Sequence, residues 1–255
     1  MIVPSMPGHG FSFQPGQPRF GLNEIADCLK TLMVDVLGHE TFGAHGHDWG
    51  AFIATRLAYA HSSLIEGIHV SLLAIPRRPY VAASLTPDEE RFNRQLAHWL
   101  AEESGYSQIM GTKPQTLAYG LTDSPVGLAA WIVEKFRSWS DWRGDVNGYF
   151  GRDVLLTNIM TYWVTGAIGS SFWPYYTCSH EPWIVPEGVT VKVPTAYAEH
   201  PREILTPPRS VAEQLYSNIR RWTRMPAGGH FPALEAPDVL ATDIADFFAS
   251  LVSEE

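Results

Sequence analysis

The sequence predicts an α/β protein, a mostly parallel sheet with a helical segment inserted into it, and three observations predict that class. A short apolar strand end, Thr41-Phe42-Gly43-Ala44, runs through His45-Gly46-His47-Asp48-Trp49-Gly50 into a helix that opens at Ala51-Phe52-Ile53-Ala54. Strand-like and helix-like stretches alternate on both sides of this turn, the rhythm of parallel strands joined by crossover helices. Between Pro76 and Pro186 that rhythm gives way to helical patterns rich in tryptophan and tyrosine, with no clear strand.

Taken in order, Met1-Ile2-Val3 reads as the end of a strand leading into the turn-rich Pro4-Ser5-Met6-Pro7-Gly8-His9-Gly10-Phe11-Ser12. Asn23 is positioned to cap a helix whose apolar residues Ile25, Leu29, Leu32, Met33 and Val36 recur at helical spacing, ending at Gly38. After the central turn, Gly67 to Leu73 reads as a strand. Thr86-Pro87-Asp88-Glu89 and Ser124-Pro125 open helices of the inserted segment, with proline at a first helical position. The alternation then returns with a strand from Val189 to Tyr197, a helix near Val211 to Tyr216 and a strand from Ile219 to Thr223. The glycine loop Pro226-Ala227-Gly228-Gly229-His230-Phe231 precedes a last helix from Pro237 with Leu240, Ile244, Phe247, Phe248 and Leu251 on one face. The expected organisation is a core of residues 1–75 and 187–255, holding about five strands, and a helical lid of residues 76–186.

Composition narrows the function classes. With 255 residues, 45% hydrophobic, the chain can bury one large core. A net charge of −9 without a basic run argues against nucleic acid as a partner. There is neither a membrane-length apolar run nor a signal-peptide layout, so a soluble, cytoplasmic protein is expected. The 2 cysteines, Cys28 and Cys178, form no disulfide or metal pattern.

The chemistry centres on Asp48. Glycines at 46 and 50, two positions either side, suit a sharp strand-to-helix turn in which close packing leaves no room for side chains. A carboxylate at the tip is ionised at neutral pH and can attack a saturated carbon without first losing a proton. Its product is an alkyl ester that water must cleave. His230, in a glycine loop after the nucleophile in chain order, is placed to serve as base. Between them, Ala198-Glu199-His200-Pro201-Arg202-Glu203 offers two acids to orient it. A metal hydrolase read from His45-x-His47-Asp48 lacks the remaining ligands, and no nucleotide, flavin or metal motif is present.

Over essentially its whole length the chain resembles the epoxide hydrolases of the microsomal and juvenile-hormone type, in the α/β-hydrolase superfamily. The matching stretches are Val3 to Ser12, Gly46-His47-Asp48-Trp49-Gly50, Thr112-Lys113-Pro114-Gln115-Thr116, Asp123 to Ile132, Leu156-Thr157-Asn158-Ile159-Met160 and Gly228-Gly229-His230-Phe231. The resemblance implies an α/β-hydrolase fold and hydrolysis of epoxides to vicinal diols, a detoxification chemistry without cofactor. It makes Asp48 the nucleophile, His230 the base, Glu203 rather than Glu199 the orienting acid, and Tyr106 and Tyr175 the lid tyrosines, with Tyr176 the alternative in a shifted alignment. The backbone N–H of Trp49 is expected to help hold the oxyanion of the ester. The expected partners are a small epoxide and water, with homodimerisation allowed.

Two rivals remain. A haloalkane dehalogenase also carries an aspartate elbow followed by tryptophan, and the lid motifs favour the epoxide reading over it. The other is an inactive relative, because the family's His-Gly-x-Pro loop, which supplies a second oxyanion donor, occurs nowhere here. The expectation is an N-terminally truncated member lacking the first strands. His47 stands where many relatives carry glycine.

Overall fold

The computed structural model describes residues 1–252. Met1 to Val3 form no strand. They are exposed, and the turn after them folds instead onto the inserted helices, where the Ser170 hydroxyl donates to the Gly8 carbonyl. Helix α1 spans Leu22–Thr31 and is opened by Gly21, not Asn23: the Glu24 carboxylate accepts the Gly21 N–H at 2.9 Å. Glycine is required there because a Cβ would sit 2.8 Å from the Thr177 hydroxyl of the lid. A wider turn over Leu32–Val36 continues α1 toward Gly38, whose φ of 75° terminates it.

Strand β1 spans Phe42–Gly46, helix α2 Trp49–Ala60 and strand β2 Ile65–Val70. Seven helices follow before the next strand: α3 (Pro87–His98), α4 (Gly105–Thr112), α5 (Pro114–Asp123), α6 (Pro125–Ser138), α7 (Val146–Phe150), α8 (Arg152–Thr165) and α9 (Trp173–His180). The start of α3 is a reciprocal cap, with Thr86 Oγ1 accepting the Glu89 N–H and Glu89 accepting the Thr86 N–H at 2.8 Å. Ser124 Oγ caps α6 by accepting the Gly127 N–H at 3.0 Å. Strand β3 spans only Thr195–Glu199, shorter than the 189–197 expected, since Pro194 has no N–H for a ladder and Val191 keeps just an isolated bridge to Tyr216. Helix α10 (Arg209–Ala212), strand β4 (Ile219–Arg224) and helices α11 (Pro232–Glu235) and α12 (Pro237–Val252) complete the described chain.

The four strands form one parallel sheet in the order β1-β2-β3-β4, one fewer than the count expected from the sequence. Alternation along β1 and β2 divides its two faces. Gly43 and Gly67 meet Phe248, Phe247 and Leu251 of α12, at distances that leave no space for a Cβ. On the same face, His69 Nε2 donates to Asp243 of α12 at 3.0 Å, so its Nδ1 accepts from His45 Nδ1 at 3.0 Å. Burial opposes ionisation of Asp243, yet the hydrogen bonds from His69, Thr223 and Arg221 outweigh it and hold the carboxyl at about 2. This chain of polar groups ties the strand that leads to Asp48 to the last helix. The bulk of the core joins Ile68 and Val70 of the sheet to Leu22, Ile25, Phe52, Ile53 and Leu57 of α1 and α2. No helix of the described residues is long and apolar enough to cross a membrane.

Candidate active site

Asp48 sits between β1 and α2 with φ 48° and ψ −125°, the one positive-φ residue among the described residues that is not glycine. Such a conformation costs an aspartate on the order of 1–3 kcal/mol and persists only where the surroundings impose it. The crossing of strand and helix imposes it here: a Cβ on Gly46 would lie 2.0 Å from the Gly50 carbonyl oxygen. The two glycines are not equivalent, contrary to the expectation from their symmetric spacing. A Cβ on Gly50 would meet nothing within 4 Å, so it is the Gly50 backbone, not its missing side chain, that makes the contact.

The Asp48 side chain remains 45% exposed and faces His230, Oδ1 to Nε2 at 3.7 Å. His230 Nδ1 donates to Glu203 Oε1 at 2.7 Å, and that oxygen also accepts the Ile204 N–H at 2.7 Å. Both side chains are almost wholly buried. Burial alone would lower the His230 pKa, but the adjacent Glu203 and Asp48 carboxylates raise it above its ordinary value. Burial likewise favours neutral Glu203, and the charge and hydrogen bond of His230, helped by the Ile204 N–H, reverse the sign and lower its pKa. Glu199 points elsewhere, accepting the Trp222 indole N–H at 2.7 Å.

The lid closes the other side. Tyr106 of α4 and Tyr175 of α9 have ring centroids 5.7 Å apart and line, with Asp48 and Trp49, a cavity of about 210 Å³. Burial first, and the Asp48 charge second, raise the pKa of Tyr106, while burial and the Tyr106 and Asp48 charges raise that of Tyr175. Both are protonated phenols at neutral pH. Tyr176 stacks on His180, with centroids 4.1 Å apart, and is not among the cavity residues. The Trp49 N–H is the first of α2, where no intrahelical acceptor exists.

Sequence reasoning missed four members of this neighbourhood. Trp139 packs edge-on against both His230 and Tyr106 at 5.0 Å, and its carbonyl accepts the His230 N–H at 2.7 Å. His47 packs edge-on against His230 at 4.6 Å, with Nδ1 3.9 Å from Glu203 Oε2. Burial and the His230 charge depress its pKa to about 4, so it is neutral. His9, from the first turn, is close enough to feel the Asp48 charge. Arg77 lines the cavity itself. Each residue lies in a loop or turn whose side-chain direction no periodic pattern discloses; the adjacency of His47 to Asp48 was the one available signal. His47, Glu203 and His230 also bring ligand atoms within 4.8 Å of one another, but the Glu203–His230 hydrogen bond accounts for that proximity.

Comparison with known proteins agrees with this architecture. The chain is 37% identical to epoxide hydrolase 1 of Oryctolagus cuniculus over 97% of its own length and 59% of that protein. It is 36% identical to juvenile hormone epoxide hydrolase 2 of Ctenocephalides felis, over 96% of this chain and 57% of the relative. The chain therefore spans less than two thirds of the length of these relatives. Among solved structures, the juvenile hormone epoxide hydrolase of the silkworm Bombyx mori superposes with a TM-score of 0.83 at 29% identity, covering 98% of this chain and 63% of that one. The pattern defining the Alpha/beta hydrolase family matches residues 1–243. A parallel sheet whose aspartate elbow meets a late histidine under a helical lid is the expected product of that ancestry, and the chain belongs to the alpha/beta hydrolase family.

Proposed function

We propose that the protein hydrolyses epoxides to vicinal diols through an ester on Asp48, with residues 76–186 acting as the lid. The observation that carries the reading is that the Asp48 carboxylate and the two phenols Tyr106 and Tyr175 line one small cavity, with His230 Nε2 3.7 Å from that carboxylate. In this reading Asp48 attacks a ring carbon, the carbon–oxygen bond of the ring breaks, and Tyr106 or Tyr175 donates its proton to the departing oxygen. An alkoxide is more basic than an ordinary phenolate, so a phenol is a competent proton donor to the departing oxygen. His230 Nε2 then takes a proton from water, which attacks the ester carbonyl, and Glu203 stabilises the imidazolium that results. The Trp49 N–H, at the positive end of α2, is suited to the oxyanion of that intermediate. Collapse releases a diol carrying one oxygen that belonged to Asp48; that oxygen takes the proton held by the His230 imidazolium, and the proton left on the regenerated Asp48 carboxyl returns to the tyrosinate of the first step.

A single-turnover reaction in 18O-water tests this directly. The first diol released is expected to be unlabelled and the label to reside in Asp48. Label in that first product would exclude the ester route. Haloalkanes and nitrophenyl esters in the same panel distinguish a dehalogenase or an esterase, and failure of every epoxide to react would sink the proposal.

A further inference from the structure

The segment Pro76-Arg77-Arg78-Pro79 leaves the sheet after β2 and sends two consecutive arginines in opposite directions. Arg78 turns outward and pairs with Glu187 at 3.0 Å on the surface. Arg77 turns inward and lines the Asp48 cavity, where its guanidinium lies over the Trp99 ring at 4.9 Å. Among the described residues no carboxylate is ion-paired to it. Burial pulls its pKa down, with Tyr106, Glu203 and Asp48 acting in the other direction, and a guanidinium remains charged through such a shift. Cys178, also in the wall, has its thiol pushed up to about 12 by burial. Asp48 and Arg77 are therefore the charged side chains of the cavity lining.

A cation in the cavity wall without an ion-pair partner is costly, and here it is offset by the face of Trp99 and, through space, by Glu203 and Asp48. The Asp48 share of that offset vanishes during the proposed reaction, because an alkylated Asp48 is a neutral ester, and among the described residues Asp48 is the one carboxylate in the cavity wall itself. A substrate that brings its own negative charge keeps the pocket balanced through the step that neutralises Asp48. Trp99 holds the guanidinium beside the cavity that Arg77 lines, and guanidinium matches a carboxylate in two-pronged geometry. A cavity of about 210 Å³ suits a compact molecule.

We infer that Arg77 is a specificity-determining residue that anchors the carboxylate of a small epoxy acid while its ring faces Asp48. The inference rests on the epoxide reading above, and the test separates the two. Turnover of glycidate is compared with that of glycidamide, which replaces the carboxylate by a neutral group of similar size. Binding of phenylacetate and phenylacetamide, which carry no epoxide, is measured in parallel by calorimetry, each with the parent, Arg77→Gln and Arg77→Lys proteins. A charge-assisted hydrogen bond predicts a kcat/KM preference for the acid of about 10- to 100-fold in the parent, collapsing in Arg77→Gln and partly kept in Arg77→Lys. Phenylacetate is expected to bind the parent more tightly than its amide does, with Arg77→Gln abolishing the difference. Equal turnover and equal binding of charged and neutral partners by the parent would overturn the assignment, whatever the variants do. Arg77-dependent phenylacetate binding without turnover of either epoxide would overturn the epoxide reading and leave the carboxylate anchor supported.

Discussion

His230 illustrates how one residue is tuned twice in a cycle. In the resting site two carboxylates, Glu203 and Asp48, raise its pKa against burial. In the proposed reaction, esterification of Asp48 removes its contribution and the imidazole pKa falls, in the direction that favours the neutral base the next step needs. The base works only when unprotonated, so the rate of ester cleavage falls as pH drops through the pKa that remains. Glu203→Gln removes the larger of the two charges. Its acid limb is expected at lower pH than the parent's, with a plateau slower by on the order of 100-fold, measurable as ester decay after rapid mixing. An unmoved limb would contradict the electrostatic account. His230→Gln should let the ester form and then persist, visible as a stable mass adduct; adduct-free turnover would reject His230 as the base. At this scale the chain order disclosed much: an aspartate between glycines and a histidine in a glycine loop are local signals. Glu203 was separable from Glu199 only through resemblance, as were Tyr106 and Tyr175 among 10 tyrosines. Arg77 and Trp139 escaped altogether, because their roles depend on which way a loop residue turns.

The strand-to-helix elbow makes a prediction about elements. Gly46 and Gly50 look alike in sequence, yet only Gly46 has its missing side chain filled by backbone, 2.0 Å from Gly50 oxygen. Gly46→Ala must push α2 off β1 and is expected to lower the melting temperature sharply and displace Asp48. Gly50→Ala enters open space inside a helix and removes an unfavourable residue, so its melting temperature should hold or rise, by an amount corresponding to about 1 kcal/mol or less. Equal damage by both would show that the crossing is governed by something other than that contact. Helix starts were the most legible elements: Thr86 and Ser124 cap α3 and α6 as their spacing indicates. Strand limits were not, since an apolar run such as 189–197 does not reveal where its ladder partners end, and Pro194 breaks it. Met1 to Val3 had apolar content but no partner among the described strands.

Across the whole molecule, lid and core are joined at the loop that carries His230. Glu235 accepts the Phe231 N–H at 2.8 Å with one carboxylate oxygen and the Asp141 N–H at 2.7 Å with the other, bridging α11 to the segment after α6. Glu235→Ala removes both bonds and is expected to cost about 1–3 kcal/mol, read as a lower melting temperature, together with a reduced rate of ester cleavage. A variant that melts like the parent would show the bridge to be dispensable. The insertion between β2 and β3 was evident from the loss of alternation after Pro76, whereas the bridging contacts, between residues almost a hundred positions apart, had no sequence signature. Trp139 draws the consequence together: the lid residue whose carbonyl holds the His230 N–H also walls Tyr106. Any movement that lifts this corner of the lid away from the core therefore withdraws a support from the histidine at the same moment. If the proposed ester forms on Asp48, this corner acts as an interlock, and ester cleavage is expected to proceed only with it in place.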